Sequence, residues 1–318
     1  MDQLPLFLDE YVLLNDATNA LVELRLDAAL VFLTNYRDLC KTNRQDIEEK
    51  LAIVAFLQEQ LASEPPPGPE RPRFLFEVWR SFEAFCDALT DNKTITDKMR
   101  VLYFRKIGET MKASSLTDGF FLADNIPAGY VYLQTGDYDR AIRSLQTCLL
   151  TMRDNAAIFG YLGDAYWARG NKKTARNLYF EACLIAPCSL DWVHLLDDEL
   201  RKLITALSGD YGWDSSISCE WVGACGYIQG LFEPKAIRTI EEINAFKEKY
   251  VELKKAFQKN PDPHLAAKIF TQGIVLCDNE PFLRNLKGID FADIRRDMKS
   301  AAPSLFEEYI KAIGRRKK

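Results

Sequence analysis

Apolar residues recur along the chain at spacings of three and four, the period of a helix with one buried face. Leu21, Leu24, Ala28, Val31 and Leu39 share such a face across residues 16–40. Leu51, Val54, Phe56 and Leu61 share another across 47–61. Residues 73–89 predict an aromatic-rich helix with Phe74, Phe76, Trp79, Phe82 and Phe85, and 98–111 predict the next. Further helices are expected over 189–207, 220–231, 239–259, 263–277 and 291–313. No Asn-Gly or Asp-Gly turn sits between two alternating runs, so no strand is predicted. The expected fold class is all-α.

Two stretches break the helical pattern. Residues 64–72 (EPPPGPERP) hold five Pro in nine positions, which predicts an extended, stiff connector rather than helix. Residues 208–216 (SGDYGWDSS) gather turn formers. The organisation read from these breaks is an N-terminal helical segment 1–63, a connector 64–72, a helical domain 73–208 and a C-terminal helical module 209–318.

The chain also resembles itself. A shift of 34 residues pairs Gly129 with Gly163, Tyr132 with Tyr166, Gly136 with Gly170 and Ala141 with Ala175. The second copy places Phe159, Leu162, Gly163, Tyr166, Ala175, Tyr179, Ala182 and Pro187 at spacings that resemble the signature of the tetratricopeptide repeat. In that pattern Gly163 and Ala175 are small so that two helices can cross closely, while Phe159, Leu162 and Tyr179 fill the space between them. Gly170 permits the turn and Pro187 ends the second helix. The first copy matches at Gly129, Tyr132, Gly136 and Ala141, and departs at Asn125, Ala128 and Arg153. A more degenerate echo joins Leu13, Ala17 and Ala20 to the segment Leu26-Asp-Ala-Ala29. The resemblance covers about residues 122–188 and implies helical hairpins stacked as a short right-handed solenoid, with flanking non-repeat helices supplying the missing neighbours.

In that family the first helix of each repeat lines a concave surface that takes a peptide or helix from a partner. The resemblance puts Ala123, Ile126, Tyr130, Leu133 and Gln134 on that surface in the first copy. In the second it puts Ala157, Gly160, Asp164, Trp167 and Ala168 there. Tyr130 and Trp167 are aromatic anchors of the kind that dominates interfaces; packing against a neighbouring helix is the competing reading of both. Ile126, Tyr130 and Tyr161 stand where chaperone-binding members carry a polar clamp for a terminal carboxylate, so that ligand is not expected.

Composition adjusts this picture in a few places. The 318 residues are 47% hydrophobic and 27% charged, ordinary globular usage. Lys plus Arg number 41 against 46 Asp plus Glu, a net charge of −5, so no basic field recommends a nucleic acid or an anionic membrane. The opening MDQLPLFLDEYVLL lacks a basic region and a cleavage site, and the eight Cys show no CxxC spacing. The expectation is a cytoplasmic protein with its Cys reduced. With two His and no phosphate loop, nucleophile elbow or HExxH, neither a catalytic site, a metal site nor a cofactor is expected.

Weaker constellations have bland readings. Asp191, His194 and Asp198 would share a face of the 189–207 helix, as a solvated stripe. Cys219, Cys225 and His264 match no metal or redox spacing, and the 315–318 tail (RRKK) reads as solvated. The functional expectation is a non-catalytic scaffold that binds another protein in its groove. The alternatives are an enzyme whose active site lies in 209–318, or a subunit that pairs with its own copy through an exposed aromatic helix.

Overall fold

The computed structural model describes residues 4–40, 44–89, 93–123, 126–210, 214–284 and 289–316. Nearly all of them are helical, as the three-four periodicity predicts, and the chain divides into two units, Met1–Ser144 and Leu145–Lys318. No helix among the described residues is long and apolar enough to cross a membrane.

The first unit begins with a helical hairpin, α1 (Leu4–Val22) and α2 (Leu26–Cys40), followed by α3 (Gln45–Leu61), α4 (Glu70–Cys86) and α5 (Lys93–Ala113). Consecutive helices pack on one another, and α5 returns to touch α1. The aromatic residues of α4 form the core of this unit. Phe76, Trp79 and Phe82 are buried, and the Trp79 ring lies 5.0 Å from that of Tyr103 and 5.5 Å from that of Phe104. An exposed aromatic helix for self-pairing is therefore not what the chain builds, because these rings fill the space between α4 and α5.

The Pro-rich segment differs from its expectation in two ways. Helix α4 starts at Glu70 and takes Pro72 into its first turn, where a missing N–H leaves no helical bond unmade. Glu64 is clamped by Arg71 (2.6 Å) and Lys106 (3.4 Å), which ties the segment down onto α4 and α5. Residues 64–72 thus lie inside the first unit, and the division falls at Ser144/Leu145, within a helix.

A short antiparallel pair, β1 (Phe121–Ala123) and β2 (Ile126–Pro127), precedes α6 (Ala128–Gln134). This corrects the expectation of no strand and of a full first helix in the first copy. Pro127 excludes the helical region for the residue before it, so α6 starts at Ala128 and has only seven residues. Helix α7 (Tyr138–Thr151) follows.

The second unit carries α8 (Ala156–Ala168), α9 (Lys172–Ile185), a 3-10 turn at Pro187–Ser189, α10 (Asp198–Asp210) and α11 (Ser215–Ile228). Then come α12 (Ile240–Lys259), α13 (Pro263–Asp278), α14 (Glu280–Leu283), α15 (Phe291–Ala301) and α16 (Pro303–Arg316). Helix α13 is buried on nearly every face, between α11, α12 and α15. The single helix expected over 291–313 is two, because Pro303 cannot continue α15. In the basic tail, whose residues 317–318 lie outside the described residues, Arg316 is engaged. Arg316 donates to the carbonyls of Tyr227 (2.7 Å) and Phe232 (3.1 Å) and stacks over the Tyr227 ring.

The expected reduced state also needs correcting at one pair. The 3-10 turn after Pro187 sets Cys188 against the first turns of α11, and Cys188 and Cys219 form a disulfide with a Cα–Cα distance of 5.3 Å.

Three hairpins share one turn. The second residue after each first helix, Leu24, Gly136 or Gly170, has a positive φ of 59°, 80° and 80°. In each, the N–H of that residue reaches the carbonyl three back and the next N–H reaches five back, the Schellman closure. Five residues past the turn, Ala29, Ala141 and Ala175 are each fully buried. In the second unit the crossing is closed by contact: a Cβ on Gly163 would stand 2.4 Å from the Tyr179 ring.

Gly163→Ala is expected to destabilise the protein by about 2 kcal/mol or more, since the ring has nowhere to go. Gly209→Ala in α10, where a methyl group meets open space, should instead stabilise it by about 0.5–1 kcal/mol. Urea unfolding of the two variants reads both signs. A Gly163→Ala protein as stable as wild type would refute the close crossing.

Candidate functional site

The expected groove residues fall in both units, so each set is described by itself. In the first, Ile126 lies on β2 rather than on a helix. Tyr130 and Leu133 are buried on α6, and Gln134 is half-buried at its end. The Tyr130 ring meets Phe104 edge-on at 5.6 Å and Phe76 at 6.2 Å. It belongs to the aromatic core between α4 and α5, which removes it from a partner's reach. Gly129 and Ala141 are buried, and Tyr132 carries the Arg140 guanidinium 4.1 Å over its ring.

In the second unit, Asn155 caps α8 by accepting from Ile158 N–H, and Asn171 caps α9 by accepting from Thr174 N–H. Phe159 and Tyr166 are partly buried, while Leu162, Ala175, Tyr179, Ala182 and Pro187 are buried. Gly160 is covered by Leu190, 3.5 Å from where its Cβ would be. Asp164 is 5% exposed, and its Oδ1 accepts from the Tyr179 hydroxyl (2.7 Å) and from the Leu196 N–H (2.8 Å). Burial pushes its carboxyl up to about 7, against the lowering effect of those two bonds. Of the second set, Ala157, Gly160 and Asp164 are buried, while Trp167 and Ala168 remain half-exposed. Lys172 stands 4.8 Å and Arg176 5.4 Å over the Trp167 ring.

Residues 190–197 explain why the helix expected over 189–207 starts late. Trp192 Nε1 donates to the Pro187 carbonyl, His194 Nδ1 lies 2.9 Å from Asp191, and Leu196 N–H is held by Asp164. Asp197, fully buried, caps α10 at Glu199 N–H and pairs with Arg176 at 2.8 Å. Asp191, His194 and Asp198 therefore share no helical face. The loop instead presents Val193, 75% exposed, and Leu196, 40% exposed. These two apolar residues were not among the expected contacts.

Among the described residues, no three His, Cys, Asp or Glu converge to hold a metal. Cys219 is bonded to Cys188, and burial pushes the Cys225 thiol up to about 12, which keeps it protonated. His264 lies 4.0 Å from Glu220, which Lys268 also approaches at 3.3 Å. No family model, curated protein or solved structure matches the chain.

Asp164 makes stability depend on pH. Its folded carboxyl holds a proton to about pH 7, whereas the unfolded one loses it near 4, so the folded state binds more protons between those values. Stability from this group is full below pH 4 and falls as pH rises through 7, by on the order of 3 kcal/mol. Denaturation of wild type and Asp164→Asn from pH 4 to 8 should show wild type gaining stability relative to the variant toward acid. A constant difference would refute the assignment.

Proposed function

We propose that the protein is a non-catalytic scaffold, built of tetratricopeptide-like hairpins in a short right-handed solenoid with flanking helices, that binds another protein. One observation carries the reading. The same left-handed turn, followed five residues later by a buried Ala, occurs at Leu24, Gly136 and Gly170. Repetition of one hairpin is the physical basis of stacked helical arrays, whose neighbours bury each other's faces and leave an extended surface for partners. A cytoplasmic location belongs to the same reading.

The partner's contact in this proposal moves from the inner helical face to its rim in the second unit. Tyr130, Gly160 and Asp164 are used by the chain's own packing. Trp167 keeps an accessible edge, and Arg176 links it to Asp197, next to Leu196 in the rigid loop that displays Val193. Exposed apolar anchors on a held backbone lose little entropy on binding.

Affinity capture from a cell lysate with wild type, Trp167→Ala and Val193→Asp tests this. Val193 is exposed, so its variant should match wild type in thermal midpoint. A protein retained by wild type and lost from both variants, a drop of at least about tenfold, is the expected result. Equal recovery by all three would overturn the assignment of this rim.

A further inference from the structure

We propose that the C-terminal helices form a binding site for a small apolar ligand bearing a cationic amine. A cavity of about 500 Å³ opens between α11, the corner joining α12 to α13 and the corner joining α15 to α16. That size suits a small organic ligand. Its apolar walls include Trp221 from α11, Phe257 from α12, Ala266 from α13 and Leu305 from α16. Two of its three sides are helix corners set by proline, so the concavity is built into the backbone rather than left by a mobile side chain.

The charge in the lining has one sign. Among the described residues, Asp262 and Glu308 are the only carboxylates in the lining, and neither Lys, Arg nor His lines it. Asp262 spends one oxygen capping α13, through the His264 N–H at 2.9 Å. Glu308 is exposed at the point where a smaller chamber of about 90 Å³, sharing Cys225 and Leu305, runs on toward α10. Two aromatic rings and two carboxylates facing one apolar space favour a cation on an apolar body, by charge attraction and by the negative faces of the rings. An anionic amphiphile would meet like charge on entry, and a neutral one would draw nothing from Glu308. This site lies apart from the rim around Trp167 and does not rest on the scaffold reading.

Calorimetric titration of the full chain at low salt, with three probes of one shape, tests the proposal. The probes are 2-naphthylmethylammonium, 2-naphthylmethanol and naphthalene-2-carboxylate. The ammonium should bind one-to-one, about fivefold or more tighter than the alcohol, and the carboxylate should not bind. Glu308→Gln, at an exposed position, should weaken ammonium binding toward the affinity of the alcohol while leaving alcohol binding unchanged. Ala266→Phe, inside the cavity, and Ser304→Trp, at its exposed mouth, should each abolish binding. Ser304→Trp keeps the test open if Ala266→Phe fails to fold. Equal binding of all three probes, binding that survives Ser304→Trp, or no binding of the ammonium would overturn it.

Discussion

The second unit hangs on the placement of one ring. The Tyr179 ring packs against the bare backbone of Gly163, and its hydroxyl donates to the buried carboxyl of Asp164 one residue on. The contact sets the distance between α8 and α9. The hydrogen bond then fixes Asp164 where it can hold the Leu196 N–H. From there the order propagates: the loop is pinned, Asp197 sinks beside Arg176, and α10 starts at the cap it provides. A chain of local constraints thus runs from a missing side chain to the start of a helix more than thirty residues later. It works because each buried polar group meets a donor or a charge.

The two units solve the same packing problem with different materials. The first fills its interior with rings from α4, α5 and α6. The second surrounds α13 with helices that approach where small residues allow it, as at Gly273, where a Cβ would press on Met298. The apolar cavity lies beside the start of α13, between the corner that leads into it and the corner joining α15 to α16.

Helix positions were legible because they depend on local periodicity and on breakers such as Pro187 and the turn glycines. The hairpin at Leu24 was only faintly legible, since a leucine occupies the left-handed turn that glycine fills in the other two. What the sequence hid was decided by distant partners. The 190–197 loop carries apolar spacing fit for a helix, yet Asp164, Trp192 and Asp197 supply hydrogen bonds a helix could not use. Tyr130, Leu133 and Gln134 fall on α6 and Gly160, Asp164 and Trp167 on α8, whereas Ala123 and Ile126 fall on strands. The exposure of these groove residues was not readable, because Phe76 and Phe104, which cover Tyr130, lie 54 and 26 residues away. The cavity left no local signal beyond the prolines at its corners.

The bond between Cys188 and Cys219 spans a separation of 31 residues and makes a covalent ring that contains the whole of α10. Inside such a ring, chain continuity and molecular integrity become separate properties. A single peptide cleavage between those two cysteines leaves both fragments on one molecule, with α9 still anchored to α11, and the two part only when the sulfurs are reduced.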